Sequence, residues 1–297
     1  MKQKSEIKPQ KSEKPLSYFL VSASFLLLFI NTGFSQEWKE LSGEHFIIYF
    51  TQDEKFAKEV LDKAEVYYRN IASELGYPRY SEFWLWEKRV KVYIYPDRDS
   101  FLKVTGQPQW SKGMADYKSK QIVSYVWSKD FAESLLPHEI AHLIFRDFVG
   151  FQGEIPLWLD EGVAQWMEEA KRREVKRIAR QKLETNSFMV LEDMMHLDIR
   201  HVKYKEAVYI RPALTKEKKQ GVLFLSAENL IDIYYLESVS LVGFLIEKYG
   251  GDSFTNFCRE MRDGKTVDEA LRMAYPTHIH SIAELEEKWK EYLVKED

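Results

Sequence analysis

The sequence predicts an α+β protein in which a small strand-rich N-terminal lobe precedes a helical C-terminal lobe. Three observations predict it. Short apolar and aromatic runs, some alternating with period two, are confined to the stretch from His45 to Trp127. Beyond residue 130 the apolar residues recur mostly every three or four positions, as on one face of a helix. The composition, 45% hydrophobic, 30% charged and 14% aromatic in 297 residues, is too apolar for disorder and too charged for a polytopic membrane protein.

The elements follow in chain order. His45 to Phe50 reads as a buried strand, and Thr51 with Glu54 stands at the capping-box spacing that opens a helix. Phe56, Val60, Leu61, Ala64, Tyr67, Ile71 and Leu75 carry that helix on to Gly76 and Pro78. Val90, Val92 and Ile94 alternate with Lys91 and Tyr93, a strand with one face inward. Gly113 to Tyr117 and Gln121 to Trp127 flank the turn Lys118-Ser119-Lys120 as a hairpin or edge-strand pair. Helices then dominate: Ile231 to Tyr249 closes at Gly250-Gly251, and Thr266 with Glu269 and Ser281 with Glu284 repeat the capping-box spacing. One folded body is therefore expected over residues 36–297, with a mixed sheet and a central helix in 36–150 and helices in 151–297. The basic stretch Lys171 to Lys182 reads as a solvated helix face.

Residues 1–35 read as a signal peptide or an N-terminal membrane anchor. Met1 to Ser17 are basic and polar, Tyr18 to Ile30 are apolar except for Ser22 and Ser24, and Gly33 and Ser35 suit a cleavage after Ser35. If processing fails, residues 18–34 could just cross a thin bilayer and tether the protein. Either outcome puts the body outside the cytoplasm, secreted or periplasmic. The chain has a net charge of −4 although its first 35 residues are basic, so the body is acidic and does not suit a nucleic-acid binder. The single cysteine, Cys258, excludes an intrachain disulfide and a cysteine zinc cage, and its helical setting reads as buried packing.

Histidine is scarce, yet two of the seven stand in His138-Glu139-Ile140-Ala141-His142. Residues four apart share a helix face, so both imidazoles can reach one metal ion while Glu139 turns toward its open side. Zinc suits such a donor set, and it brings a bound water to a pKa of about 7. Leu135, Leu136, Ile140, Ala141, Leu143, Ile144 and Phe148 make the helix apolar on most sides, and Pro137 falls in a first turn that should begin near Ser134. A third ligand must come from elsewhere. Glu161, in Pro156-Leu157-Trp158-Leu159-Asp160-Glu161-Gly162, sits in an apolar stripe without a basic neighbour in sequence, and a buried carboxylate needs a cation. His196, His201, His278 and His280 read as surface residues.

HExxH followed after 18 residues by Glu161 in a Trp-Leu-x-Glu-Gly context resembles the gluzincin group of zinc metallopeptidases, most closely its peptidase MA-like branch. The resemblance extends from about His45 through both motif helices to the Tyr-x-x-Ser and Tyr-Gly elements between Tyr235 and Gly250. It implies a zincin-like fold, one zinc ion on His138, His142 and Glu161, and Glu139 as general base. It also implies an edge strand that pairs with an extended peptide or protein substrate. Tyr235, matching Tyr-x-x-Ser, is the candidate for holding the oxyanion, with Tyr234 second. Two departures stand out. The Gly-x-Met-Glu-Asn segment with which aminopeptidase relatives hold a free amine is replaced by Gly113-Met114-Ala115-Asp116-Tyr117, so endopeptidase activity is expected. Gln165 stands where some relatives place an acidic residue behind a zinc-bound histidine, which predicts weaker support for the metal. The competing reading is an exported peptide- or cell-wall-binding protein with a non-catalytic zinc site. Oligomeric state and substrate are open.

Overall fold

The computed structural model describes residues 37–76, 84–107, 109, 111–126, 131–151, 154–201, 208–214 and 219–295. The export signal or anchor expected in residues 1–35 lies outside them. A five-stranded sheet is built from β1 (Lys39–Ser42), β2 (Phe46–Phe50), β3 (Val90–Tyr95), β4 (Gly113–Asp116) and β5 (Gln121–Tyr125), in the order β1-β2-β3-β5-β4. β2, β3 and β5 run parallel, while β1 and β4 are antiparallel edges. The hairpin expected at residues 113–127 is therefore the β4–β5 pair. Asp116 closes its turn, its carboxylate accepting from the backbone N–H groups of Lys118 and Ser119.

Helix α1 (Glu54–Glu74) crosses from β2 to β3, and α2 (Arg98–Thr105) crosses from β3 toward β4. The cap of α1 is Asp53 rather than Thr51. Its carboxylate accepts from Phe56 N at 3.0 Å, a reach made available by a left-handed backbone at φ 32°. Val90, Val92 and Ile94 point into the main core, as their alternation predicted. Tyr95, Phe101, Leu102, Val123 and Tyr125 form a smaller core beneath α2 on the other face.

The helical part comprises α3 (Leu136–Val149), α4 (Leu157–Trp166), α5 (Glu169–Glu184), α6 (Leu191–His196), α7 (Ala227–Tyr249), α8 (Gly251–Arg262), α9 (Val267–Ala274) and α10 (Ile282–Val294). α3 is preceded without a break by a π-helical stretch, Phe131–Leu135, so the helical path starts earlier than Ser134. Pro137 supplies a reason, since it has no N–H to return to the preceding turn. α5 is solvated as expected, burying only Val175 and Ala179. Thr266 and Glu269 make both bonds of a capping box, and Ser281 caps α10. α7 is long and apolar enough to cross a membrane, but 78% of its apolar window is buried within the fold.

One feature departs from the sequence expectation. β6 (Val208–Leu214) and β7 (Gln220–Ser226) form an antiparallel hairpin inside the part expected to be helical. The period-two signal was present, with Tyr209, Arg211 and Ala213 inward. It was masked because the outward positions are apolar too, so the stretch lacks the polar alternation of a half-buried strand. The main core runs through both lobes, joining the sheet, α1, α3, α4, α7, α8 and α10.

Candidate metal centre

Two helices and the strand edge beside them build the site. α3 carries His138, Glu139 and His142 on its buried side, and α4 carries Asp160 and Glu161. α4 is pressed against α7 at Gly162, where a Cβ would fall 2.7 Å from the Ser238 carbonyl and from Val242 Cγ2. Only a residue without a side chain permits that approach, and it fixes the depth at which Glu161 enters the core. On the other flank Gly113 of the edge strand β4 lies against Leu135, just ahead of α3, with room for no Cβ (2.4 Å to Leu135 Cδ2).

The three ligands expected from the sequence come together. His138 Nε2 and His142 Nε2 are 3.2 Å apart, and the Glu161 carboxylate oxygens stand 4.0 Å from the first and 3.9 Å from the second. All three residues are buried, and their donor atoms lie within 4.8 Å of one another. The Nδ1 atoms are already engaged: His138 donates to Glu168 Oε1 at 2.9 Å and His142 to Asp160 Oδ1 at 2.9 Å. With those protons held, the Nε2 lone pairs face each other and require a cation or a proton between them. Zinc takes nitrogen and oxygen donors at roughly 2.0–2.2 Å in a tetrahedral arrangement, so a nitrogen, nitrogen, oxygen set with this spacing fits it.

The charge balance points the same way. Glu139 is fully buried and neither of its carboxylate oxygens has a hydrogen-bond partner. Burial pushes its carboxyl up despite the two imidazoles that favour the charged form. Burial would push the His142 imidazolium down, yet Asp160, Glu161 and Glu139 carry it up to about 9. Glu168 is held down at about 2, its burial outweighed by His138 and by Lys171, whose Nζ lies 2.7 Å from Oε1. Burial opposes ionisation of Asp160, but His142 and Arg146 keep its carboxyl low. Four carboxylates around two imidazoles make a strongly cation-seeking pocket.

Several of these residues escaped the sequence reading. Gln165 is buried but is not the partner of either histidine; Asp160, from within α4, and Glu168, just beyond it, occupy that role. The weaker support expected from Gln165 is thereby corrected. Asp160 was adjacent to a named ligand and legible in hindsight, whereas Glu168 meets His138 only because the chain folds back after α4. Tyr117, at the end of β4, stands edge-on to His142 with ring centroids 6.0 Å apart, and the Arg146 guanidinium lies 4.8 Å from its ring centre. Burial and the nearby carboxylates of Asp160, Glu139 and Glu161 push the Tyr117 hydroxyl well up. Of the two oxyanion candidates, Tyr234 is fully buried with its hydroxyl lacking a hydrogen bond, and burial and Glu161 push it up. Tyr235, the neighbour on α7, is half-buried.

The other histidine and carboxylate group, Glu44, His45 and Glu65, is differently built. Glu65 accepts from both His45 Nδ1 (2.7 Å) and His45 N (2.8 Å), so its carboxylate is already spent tying β2 to α1. His278 and His280 are exposed, His196 bonds the Glu192 carbonyl of its own helix, and Cys258 is buried in α8.

Residues 195–295 match the model of the peptidase MA superfamily. The match supports a peptidase MA-like family for the chain. It covers the hairpin and α7 to α10, including the wall behind Glu161, and stops short of α3 and α4. The convergence of His138, His142 and Glu161 is thus a separate observation from the peptidase MA match. A sheet-bearing N-terminal part with a helical C-terminal part accords with the peptidase MA fold. The likeness points to a peptidase, a hydrolase of peptide bonds. No curated protein matches the chain.

Proposed function

We propose that the protein is an extracytoplasmic zinc-dependent endopeptidase. The observation that carries this reading is the meeting of two imidazole nitrogens and one carboxylate beside a second, unpartnered buried carboxylate, Glu139. His138, His142 and Glu161 would hold the ion, with Glu168 and Asp160 fixing the orientation of the two rings. Zinc bound there supplies a Lewis acid that polarises a peptide carbonyl and acidifies a water. Glu139 accepts the proton of the attacking water and returns it to the leaving amine, and no covalent intermediate with the protein forms. Tyr235, half-buried, would donate to the oxyanion, with Tyr234, whose enclosed hydroxyl senses Glu161, as the second candidate. The open edge of β4, antiparallel and unpaired on its outer side among the described residues, offers an extended peptide a strand to pair with.

The alternative, a protein that holds peptides over a structural zinc, leaves Glu139 unexplained, because burying an unpartnered carboxylate is costly without a use for it. Export rests on residues 1–35, as a cleaved signal or a retained anchor. The test is Glu139→Gln in purified protein, with zinc content and cleavage of a peptide library read side by side. Zinc should remain stoichiometric while turnover falls at least ~10²-fold, the scale of a lost general base. Unchanged turnover in that variant, or turnover indifferent to a chelator, would overturn the mechanism.

A further inference from the structure

The carboxylates behind the two histidines are themselves held, and Glu168 is held by three donors. Its Oε1 accepts from His138 Nδ1 at 2.9 Å and from Lys171 Nζ at 2.7 Å, and its Oε2 accepts from Ser134 Oγ at 2.5 Å. The Glu168 side chain is only 3% exposed, so these donors take the place of water. The start of α5 runs against local preference twice to achieve this. Glu168 is the N-cap of α5, yet its carboxylate bonds none of the free N–H groups of that helix. Lys171 falls in the first turn, where the helix dipole disfavours a positive charge. One arrangement accounts for both departures: the Glu168 side chain turns back to α3, and Lys171 follows it. The basic stretch Lys171 to Lys182 is otherwise an outer surface, with Arg173, Arg177 and Arg180 paired to Glu169, Glu174 and Glu184 of the same helix.

We propose that Lys171 is a positioning residue for the metal: it fixes Glu168 against His138, so that the ring keeps Nδ1 on the carboxylate and Nε2 toward His142 and Glu161. The inference rests on the metal-centre reading above and adds a residue that lies outside both motif helices. A carboxylate enclosed this far is stable only beside a cation, and without Lys171 the Glu168 side chain would turn toward water. The His138 ring would then lose the acceptor that sets its orientation. On the other ring the same order recurs at longer range, His142 backed by Asp160 and Asp160 by Arg146, whose guanidinium stands 4.0 Å from Oδ2. The sign of the effect separates positioning from charge alone. A lysine near a divalent ion repels it, so by Coulomb's law its removal should tighten zinc. Loss of positioning acts the other way.

The test measures zinc affinity of the full chain by competition with a chromogenic chelator. Lys171→Met is made alone and in the Glu168→Gln and Asp160→Asn backgrounds. Alone it should weaken zinc about tenfold, the low end of what partners behind a ligand contribute, and Lys171→Arg should recover most of that loss. The Lys171 side chain is 35% exposed, so the circular dichroism spectrum of the metal-free variant should match the wild type. In Glu168→Gln the Lys171→Met change should add nothing, because the group it acts through is gone, whereas in Asp160→Asn it should keep its full factor. Zinc binding unchanged or tightened in Lys171→Met, or an equal factor in both backgrounds, overturns the inference. A wild type that takes up no zinc removes the centre and this role with it. The expected pattern in a chain that cleaves no peptide supports the inference and removes the peptidase reading alone.

Discussion

At the residue scale, the distinguishing feature is that both histidines of the HExxH helix are backed by carboxylates the motif does not contain. Asp160→Asn and Glu168→Gln keep the shape and a hydrogen-bond acceptor but remove the charge behind each ring. Each should weaken zinc binding about 10- to 100-fold in competition with a chromogenic chelator, with the circular dichroism spectrum unchanged. Undiminished affinity in both would mean that the rings need no such support. Glu237 offers an independent test of burial. It is fully buried on α7, one oxygen accepting from Met189 N at 2.7 Å and the other without a partner, and burial raises its carboxyl well above the usual 4.5. A carboxyl whose folded-state pKa is raised binds its proton more tightly folded than unfolded. Its contribution is intact below pH 4.5 and is lost as the pH climbs from there toward the folded-state value. Glu237→Gln should thus match the wild type in urea unfolding near pH 4 and exceed it at pH 8; parallel pH profiles would contradict the assignment.

At the scale of elements, the packing of α4 on α7 decides the site as much as the ligands do. Gly162 and Gly243 both sit where a side chain would collide, the first with the Ser238 carbonyl and Val242, the second with the Trp166 ring. Gly162→Ala must move α4 away from α7, costing about 1–3 kcal/mol of stability as overpacking does, and it should also loosen zinc because Glu161 moves with its helix. Thermal unfolding together with metal affinity would register both effects; a loss of stability with unaltered affinity would separate α4 packing from ligand placement. The helix ends were largely legible in the sequence: Thr266 and Ser281 cap where their spacing placed them. Asp53 displaced Thr51 as the cap of α1 because a left-handed backbone there brings a nearer carboxylate to Phe56 N. The β6–β7 hairpin was not legible, since an apolar row facing outward hides the alternation by which a strand is recognised.

At the scale of the whole molecule, one core ties the sheet to the helical bundle, so an ion held at the candidate centre between α3 and α4 would be coupled to global stability. An ion that binds only the folded state stabilises it by RT ln(1 + [L]/Kd), about 2.7 kcal/mol at a hundredfold excess over Kd. Chelation should accordingly lower the calorimetric midpoint in a single transition and zinc should restore it; a midpoint indifferent to both would leave the centre without an ion. The sequence by itself determined the class of fold and the helix bearing His138, Glu139 and His142, because helical periodicity is a local property of the chain; Glu161 stands out through its apolar setting and the gluzincin resemblance, not through local spacing. Only the tertiary structure decided that Asp160 and Glu168 stand behind the histidines, that Tyr117 and Arg146 flank His142, and that the hairpin turns its apolar side to the outside. Those relations join residues from separate elements, and their distances are set by how helices and strands pack rather than by any spacing along the chain.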